Sequence, residues 1–88
     1  MRLNDNYIMA ELGEDGVLVP IGEMAANFRG ILRLNETAVF VVNRLMQDTT
    51  TEQIVDALCE EYEAERSAVE TDVNKVLAKL CELGAIQE

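Results

Sequence analysis

The spacing of the apolar residues changes once along this chain, close to residue 35. Before that point, short segments with strand-type patterns are bounded by Gly, Asp and Pro, whereas after it apolar residues recur at helical spacing. A chain of 88 residues can form one domain with a single modest core. We therefore predict one domain over residues 1–88, of the α+β class, in which a three-stranded antiparallel sheet is followed by three helices.

The three predicted strands lie in the first part of the chain. The first covers Tyr7 to Leu12 and the second covers Val17 to Ile21. Between them, the turn over Gly13 to Gly16 contains Asp15-Gly16, and Asp-Gly between apolar segments is a strong hairpin signal. The third strand, Phe28 to Leu34, is predicted from its alternation of apolar and basic residues.

The three predicted helices have recognisable ends. They are expected to begin near Glu36, Thr51 and Ala68. Asn35 is the predicted N-cap of the first helix, which extends to about Gln47. The pairs Thr50/Gln53 and Ser67/Glu70 have capping-box spacing, and Gly84 is the predicted C′ residue of the last helix. The apolar stripes are Ala38, Val41, Val42, Leu45 and Met46, then Ile54, Val55, Leu58 and Tyr62, then Val69, Val73, Val76, Leu77, Leu80 and Leu83. Phe40 points away from the first stripe, and we expect the N-terminal strands to cover it.

Composition excludes several classes of function. Seventeen acidic and seven basic residues give a net charge of −10, which repels nucleic acid phosphates and anionic lipid headgroups. The longest apolar run, Ala38 to Val42, is too short to span a membrane, and Met1 to Ala10 lacks the apolar core of a signal peptide. We therefore predict a cytoplasmic protein with neither a nucleic acid nor a membrane partner.

Residues for catalysis or metal binding are scarce. The chain has no His, and Cys59 and Cys81 form no CxxC pair, so both cysteines are predicted to be small buried hydrophobes. Four nearby carboxylates are predicted to form a solvated helix face: Glu60, Glu61, Glu63 and Glu65. No glycine-rich phosphate loop is present. We therefore predict no catalytic residue, no metal and no cofactor.

Four of the seven basic residues form two pairs. Arg29 and Arg33 share one face of the third predicted strand, and Lys75 and Lys79 share one side of the third helix. They are either solubilising charges with helical pairing, or a positive rim suited to an acidic peptide. The residues alone leave both interpretations open.

An ordered set of residues over nearly the whole chain matches a known family. It comprises Val17-Leu18-Val19-Pro20, Gly22, Leu34-Asn35-Glu36-Thr37, Phe40, Leu45, Thr51-Glu52-Gln53-Ile54, Leu58, Tyr62, Val69, Asp72, Val73, Leu77, Leu80 and Gly84-Ala85-Ile86. In this set the chain resembles the PqqD family, coenzyme PQQ synthesis protein D and its relatives. It departs from the family's pattern at Ala38, Val42 and Val76, which change the size of core side chains.

The resemblance implies a winged helix-turn-helix-like domain that recognises the leader of a ribosomally made, later modified peptide. In that family the leader adds as a strand to the third strand and lies against the third helix. The modifying enzyme, commonly a radical SAM protein, is a partner, and the domain itself is not an enzyme. Carried to this chain, the implied peptide-binding residues are Arg29, Gly30, Ile31, Leu32 and Arg33 on the strand, and Val69, Asp72, Val73, Val76 and Lys79 on the helix.

The sequence is compatible with several alternatives. The three valines of the third helix either line a groove or only fill the core. A small dimerisation or adaptor domain without a peptide ligand would also fit the sequence, and so, against the net charge, would a winged-helix transcription regulator. The sequence leaves open the identity of the peptide, whether the pathway is that of PQQ, and whether the chain forms a homodimer.

Overall fold

The computed structural model describes residues 1–22 and 32–87. In chain order the described elements are β1 (Arg2–Leu3), β2 (Tyr7–Leu12), β3 (Asp15–Pro20), β4 (Leu32–Leu34), α1 (Glu36–Arg44), α2 (Thr51–Tyr62), α3 (Arg66–Glu82) and β5 (Ile86–Gln87). The predicted α+β order is confirmed, because β2, β3 and β4 form an antiparallel sheet in that spatial order and three helices follow. The part of the third predicted strand from Phe28 to Ile31 lies outside the described residues.

The hairpin between β2 and β3 turns at a different glycine from the predicted one. Leu12 pairs with Asp15, which leaves Gly13-Glu14 as a two-residue loop, and Gly13 has φ +69°, where a side chain would be strained. Asp15 and Gly16 therefore begin β3, and the predicted turn over them is wrong. Gly16 is required by packing instead, since a Cβ there would lie 2.9 Å from the Val39 Cγ2 atom of α1.

Two of the three helix starts follow the predicted capping. The backbone N–H of Ala38 donates to Asn35 Oδ1 at 2.9 Å. At the start of α2, the Gln53 N–H donates to Thr50 Oγ1 at 3.1 Å and the Thr50 N–H donates to Gln53 Oε1 at 3.2 Å, so the capping box is complete.

The predicted capping box at Ser67 and Glu70 is wrong. α3 begins at Arg66 with Glu65 as N-cap, and the Glu65 side chain makes no capping hydrogen bond. The Arg66 side chain binds Asp56 of α2 at 2.6 Å and Glu70 at 3.2 Å. Glu70 thus neutralises a cation that joins two helices, and it is not part of a local cap.

The end of α3 is a Schellman motif that returns the chain to its beginning. Gly84 has φ +70°, its N–H donates to the Cys81 carbonyl at 3.0 Å, and the Ala85 N–H donates to the Leu80 carbonyl at 2.9 Å. This confirms Gly84 as the C′ residue. The chain then forms β5, which pairs antiparallel with β1 in a second, two-stranded sheet that the sequence did not predict.

The core lies between the helices and the inner face of the sheet. Its fully buried large side chains are Leu18, Val41, Val42, Leu45, Ile54, Val55, Val73 and Leu80. Met46 was predicted to join the core but is 51% exposed, because α1 ends at Arg44 rather than near Gln47. Tyr62, predicted on the inner face of α2, is 44% exposed. Its ring meets that of Phe40 edge to face at 5.9 Å, so α2 contributes cover that was expected from the N-terminal strands.

Candidate functional site

A cleft of about 190 Å³ separates β4 from α3. It is lined by Leu32, Arg33, Leu34, Ala38, Lys75, Val76, Lys79 and Leu80. Five of these residues are apolar and form the floor, and the three basic residues stand on both walls. The cleft can therefore accept apolar side chains under a positively charged rim.

A larger cleft of about 620 Å³ lies at the other end of the helices, near the α1–α2 connection. Its lining residues are Asn43, Arg44, Met46, Gln47, Asp48, Thr49, Gln53, Asp56, Ala57 and Glu60. A ligand would bury little apolar surface there, because most of these side chains are polar and exposed. The smaller cleft beside β4 is the better candidate despite its volume.

The register of the sheet decides which backbone groups of β4 point outward. The Ile21 N–H donates to the Asn6 carbonyl at 2.7 Å, and this bond continues the β2–β3 register. Since hydrogen-bonded and non-hydrogen-bonded pairs alternate in an antiparallel ladder, Val17 and Val19 direct their backbone groups to β2. Gly16 and Leu18 therefore direct theirs to β4.

Arg33 is consequently the residue of β4 that faces the open edge. Leu34 is paired with Gly16 and Leu32 with Leu18, so these two leucines exchange hydrogen bonds with β3. The N–H and C=O of Arg33, paired with Val17 at a non-hydrogen-bonded position, point away from β3. Because β4 is the last strand in the order β2-β3-β4, this donor and acceptor lie at the sheet edge next to the cleft.

The cations of the cleft carry little compensation from the chain's own carboxylates. Lys79 Nζ lies 3.9 Å from Glu82 Oε2, at the long limit of an ion pair, and both side chains are exposed. Neither Arg33 nor Lys75 forms an ion pair with a carboxylate of the described residues. By contrast, Arg66 is held by two carboxylates, and these hydrogen bonds raise its pKa above the usual value. The charges on the cleft remain available to a ligand.

The residues predicted for the site fall into four groups. Arg29, Gly30 and Ile31 lie outside the described residues. Leu32, Arg33, Val76 and Lys79 line the cleft. Val69 and Val73 are 3% and 0% exposed, which places them in the core, and Asp72 is exposed on α3, one turn before Lys75 and Val76, and is not among the lining residues.

Four lining residues were missing from the predicted set: Leu34, Ala38, Lys75 and Leu80. A signal existed for two of them, because Lys75 and Lys79, and likewise Val76 and Leu80, are four apart and share one helix face. For Leu34 and Ala38 the apolar pattern indicated only burial. Leu34 and Ala38 lie beside α3 because β4 ends at Leu34 and α1 begins two residues later, so that the end of the strand and the first turn of the helix both border the cleft.

Elsewhere in the part of the chain that the structure describes, the residue types that commonly bind metal ions are not grouped together. No group of three or more His, Cys, Asp or Glu side chains there is placed to hold a metal ion. Cys59 is half-buried and Cys81 is exposed, so the prediction of a buried thiol is wrong for Cys81. No described helix combines the length and apolarity needed to cross a bilayer.

Comparison with known proteins places the chain in a family. Residues 15–86 match the family model of coenzyme PQQ synthesis protein D (PqqD). The chain belongs to the PqqD family. The matched range begins with β3 and ends in β5, so it contains β4, α3 and the whole described cleft. Among curated proteins, no significant match in sequence was found.

Two solved structures resemble this PqqD-family chain over nearly its full length. One is TbiB1 in complex with the TbiA(beta) leader peptide, with a TM-score of 0.80, 24% identity, and coverage of 99% of this chain and 95% of that chain. The other is lasso peptide synthetase B1 complexed with the leader peptide, with a TM-score of 0.74, 28% identity, and coverage of 99% and 96%. The fold described above is thus shared with both.

Proposed function

We propose that this PqqD-family chain binds the leader segment of a ribosomally made precursor peptide as an added strand on β4 and presents it to a modifying enzyme. The observation that carries the proposal is the outward-facing backbone of Arg33 beside an apolar cleft. Both structurally similar proteins are complexes with leader peptides, which supports the same class of ligand here.

In this binding mode the backbone supplies affinity and the side chains supply specificity. The Arg33 N–H and C=O supply ladder hydrogen bonds that any peptide can satisfy. Side chains of the added strand that fall on the inner face, where Leu32 and Leu34 lie, would enter the cleft against Val76 and Leu80. Each Å² of apolar surface buried in the cleft contributes about 25 cal/mol to the binding free energy, so a peptide with apolar side chains at these positions binds more tightly than an arbitrary one. Arg29, Gly30 and Ile31 would extend the pairing segment.

The same proposal covers the partners and the location. The chain acts without catalysis or a cofactor in the cytoplasm as one binding domain over residues 1–88, and the chemistry belongs to a separate enzyme, commonly a radical SAM protein in this family. The net charge of −10 argues against the alternative of a DNA-binding regulator. Purified protein alone is expected to leave a precursor peptide chemically unchanged, as mass spectrometry would show.

The binding mode is tested by two substitutions at one position. Arg33→Pro removes the outward N–H without removing a hydrogen bond to β3, whereas Arg33→Gln removes only the charge. As the probe, we would use the tightest binder from a displayed library of random dodecapeptides, titrated by fluorescence anisotropy. We expect Arg33→Pro to weaken binding at least tenfold relative to Arg33→Gln, because a ladder donor is lost and the peptide acceptor loses its partner.

The matched control is Glu11→Pro on β2, where the N–H of Glu11 also points away from β3 at the opposite edge. This variant should bind the probe as the wild type does. Equal weakening by proline at both edges, or amide shifts of the bound protein confined to α1 and α2, would contradict strand addition at β4.

A further inference from the structure

The position of the bound strand that lies opposite Arg33 is defined by the register. In either direction of pairing, directly opposed residues of adjacent strands place their side chains on the same face, with Cβ atoms about 4.5–5.5 Å apart when antiparallel. On the side of β3, the residue opposite Arg33 is Val17, which is uncharged and half-buried. The exposed Arg33 side chain therefore has one remaining cross-strand neighbour, the peptide residue that its own backbone holds.

We infer that the site selects, within leader peptides, a segment that carries a carboxylate side chain opposite Arg33 and an apolar side chain on either side of it. This inference rests on the proposed function. The central residue shares the outer face with Arg33, while its two neighbours point to the inner face and to the floor formed by Ala38, Val76 and Leu80.

Competition from acidic side chains of the described residues is weak at this position. Among the described strand residues, Asp15 is the nearest acidic one in the register, because it lies two residues from Val17; it also lines, together with Arg33, a further cleft over β3 and β4. Such a diagonal position is about 7–8 Å away between strands, and Asp15 forms no ion pair with Arg33 in the structure. A carboxylate on the added strand would be closer.

The opposite wall of the cleft strengthens the selection. Lys75 and Lys79 are four residues apart on α3 and face the same cleft as Arg33. A basic residue on the bound strand would meet Arg33 if it lay on the outer face, or Lys75 and Lys79 if it lay on the side of α3, and such repulsion is an effective means of excluding wrong partners. In a chain with a net charge of −10, this local reversal of sign confines attraction for an acidic peptide to the cleft.

The test uses the selected dodecapeptide and two versions with its central acidic residue replaced by Gln or by Lys. The wild-type protein should bind the Gln version about two- to fivefold more weakly than the selected peptide in 50 mM salt, which is the range expected of an exposed charge pair. It should bind the Lys version more weakly still. At 0.5 M salt the differences should shrink. Arg33→Glu should invert the order, so that the Lys version binds best.

Arg44→Glu is the matched control, because it makes the same change in net charge at an exposed residue outside the cleft. It should preserve the wild-type order of the three peptides. If dodecapeptides bind at β4 without enrichment of an acidic residue, or if Arg33→Glu fails to invert the order, this inference is wrong while the proposed function stands. If no dodecapeptide binds at all, the proposed function itself fails and this inference with it.

Discussion

At the scale of single residues, the Tyr7 hydroxyl joins the beginning of the sheet to the end of the last helix. It donates a hydrogen bond to the Leu83 carbonyl at 2.7 Å, although the two residues are far apart in sequence. The side chain is buried, and burial raises the pKa of Tyr7 above its usual 10.0. The bond therefore combines a buried donor with one of the carbonyls that α3 leaves unpaired at its end.

Tyr7→Phe removes this bond and is expected to lower the free energy of unfolding by about 1 kcal/mol at pH 7. Because the folded state favours the neutral hydroxyl, the contribution is fully present below pH 10.0 and is lost as pH rises through the raised pKa. Urea denaturation of both proteins at pH 7 and near pH 11 measures the difference, which should shrink at the higher pH.

Tyr62→Phe serves as the comparison, since its hydroxyl donates to Glu36 at 3.1 Å but the side chain is 44% exposed. It should cost less than Tyr7→Phe at pH 7. A larger loss for Tyr62→Phe would show that the bond from Tyr7 to Leu83 is not a main connection between sheet and helix.

At the scale of elements, the helices differ in how their first turns are satisfied. α2 uses the side chains of Thr50 and Gln53, both within its own first turn. α3 has no side-chain cap, and its first residue, Arg66, is bound to Asp56 of the preceding helix. The start of α2 is thus stabilised locally, and the start of α3 by contact with α2.

This difference predicts losses of different size for two similar substitutions. Thr50→Ala should lower the free energy of unfolding by about 1 kcal/mol, because an N–H of the first turn loses its acceptor. Ser67→Ala, at the other position where the sequence suggested a box, should change it by less than about 0.5 kcal/mol. Thermal and urea denaturation of the two variants would decide, and equal losses would contradict the capping described here.

At the scale of the whole molecule, charge acts on stability and on binding in opposite directions. The chain has ten more acidic than basic residues, so self-repulsion among its carboxylates opposes the folded state. Apart from the pair between the Met1 amino group and Asp48, the ion pairs among the described residues lie at the surface, where such contacts contribute little. In the proposed complex, by contrast, the charges of the cleft and of an acidic peptide attract each other and favour binding.

We expect sodium chloride, raised from 20 to 500 mM, to increase the melting temperature while it weakens binding of the selected acidic dodecapeptide. Screening reduces the net repulsion in the folded chain and the attraction in the complex alike. Calorimetric melting and peptide titration on the same samples measure both effects. A melting temperature that falls with salt would mean that specific ion pairs outweigh the net charge.

Parts of the fold that depend on neighbours in sequence could be predicted. The caps at Asn35 and Thr50 and the Schellman glycine Gly84 all make bonds within one helical turn, so the residue types present at those positions are informative. The prediction failed at Ser67, because Glu70 binds Arg66, and Arg66 also binds Asp56 on the preceding helix. It failed at Gly16 for a similar reason, since the glycine accommodates Val39 of α1.

The order of the three main strands and the three helices, two of the helix starts and the acidic net charge were determined by the sequence alone, because periodicity, capping and composition act over a few residues or over all of them. Only the tertiary structure decided that Val73 is buried while Val76 lines the cleft, although both lie on one apolar stripe. It also decided that the backbone of Arg33 faces the open edge, through a register anchored by the hydrogen bond from Ile21 to Asn6. Burial and strand register depend on which distant segments meet, and the local pattern does not contain that information.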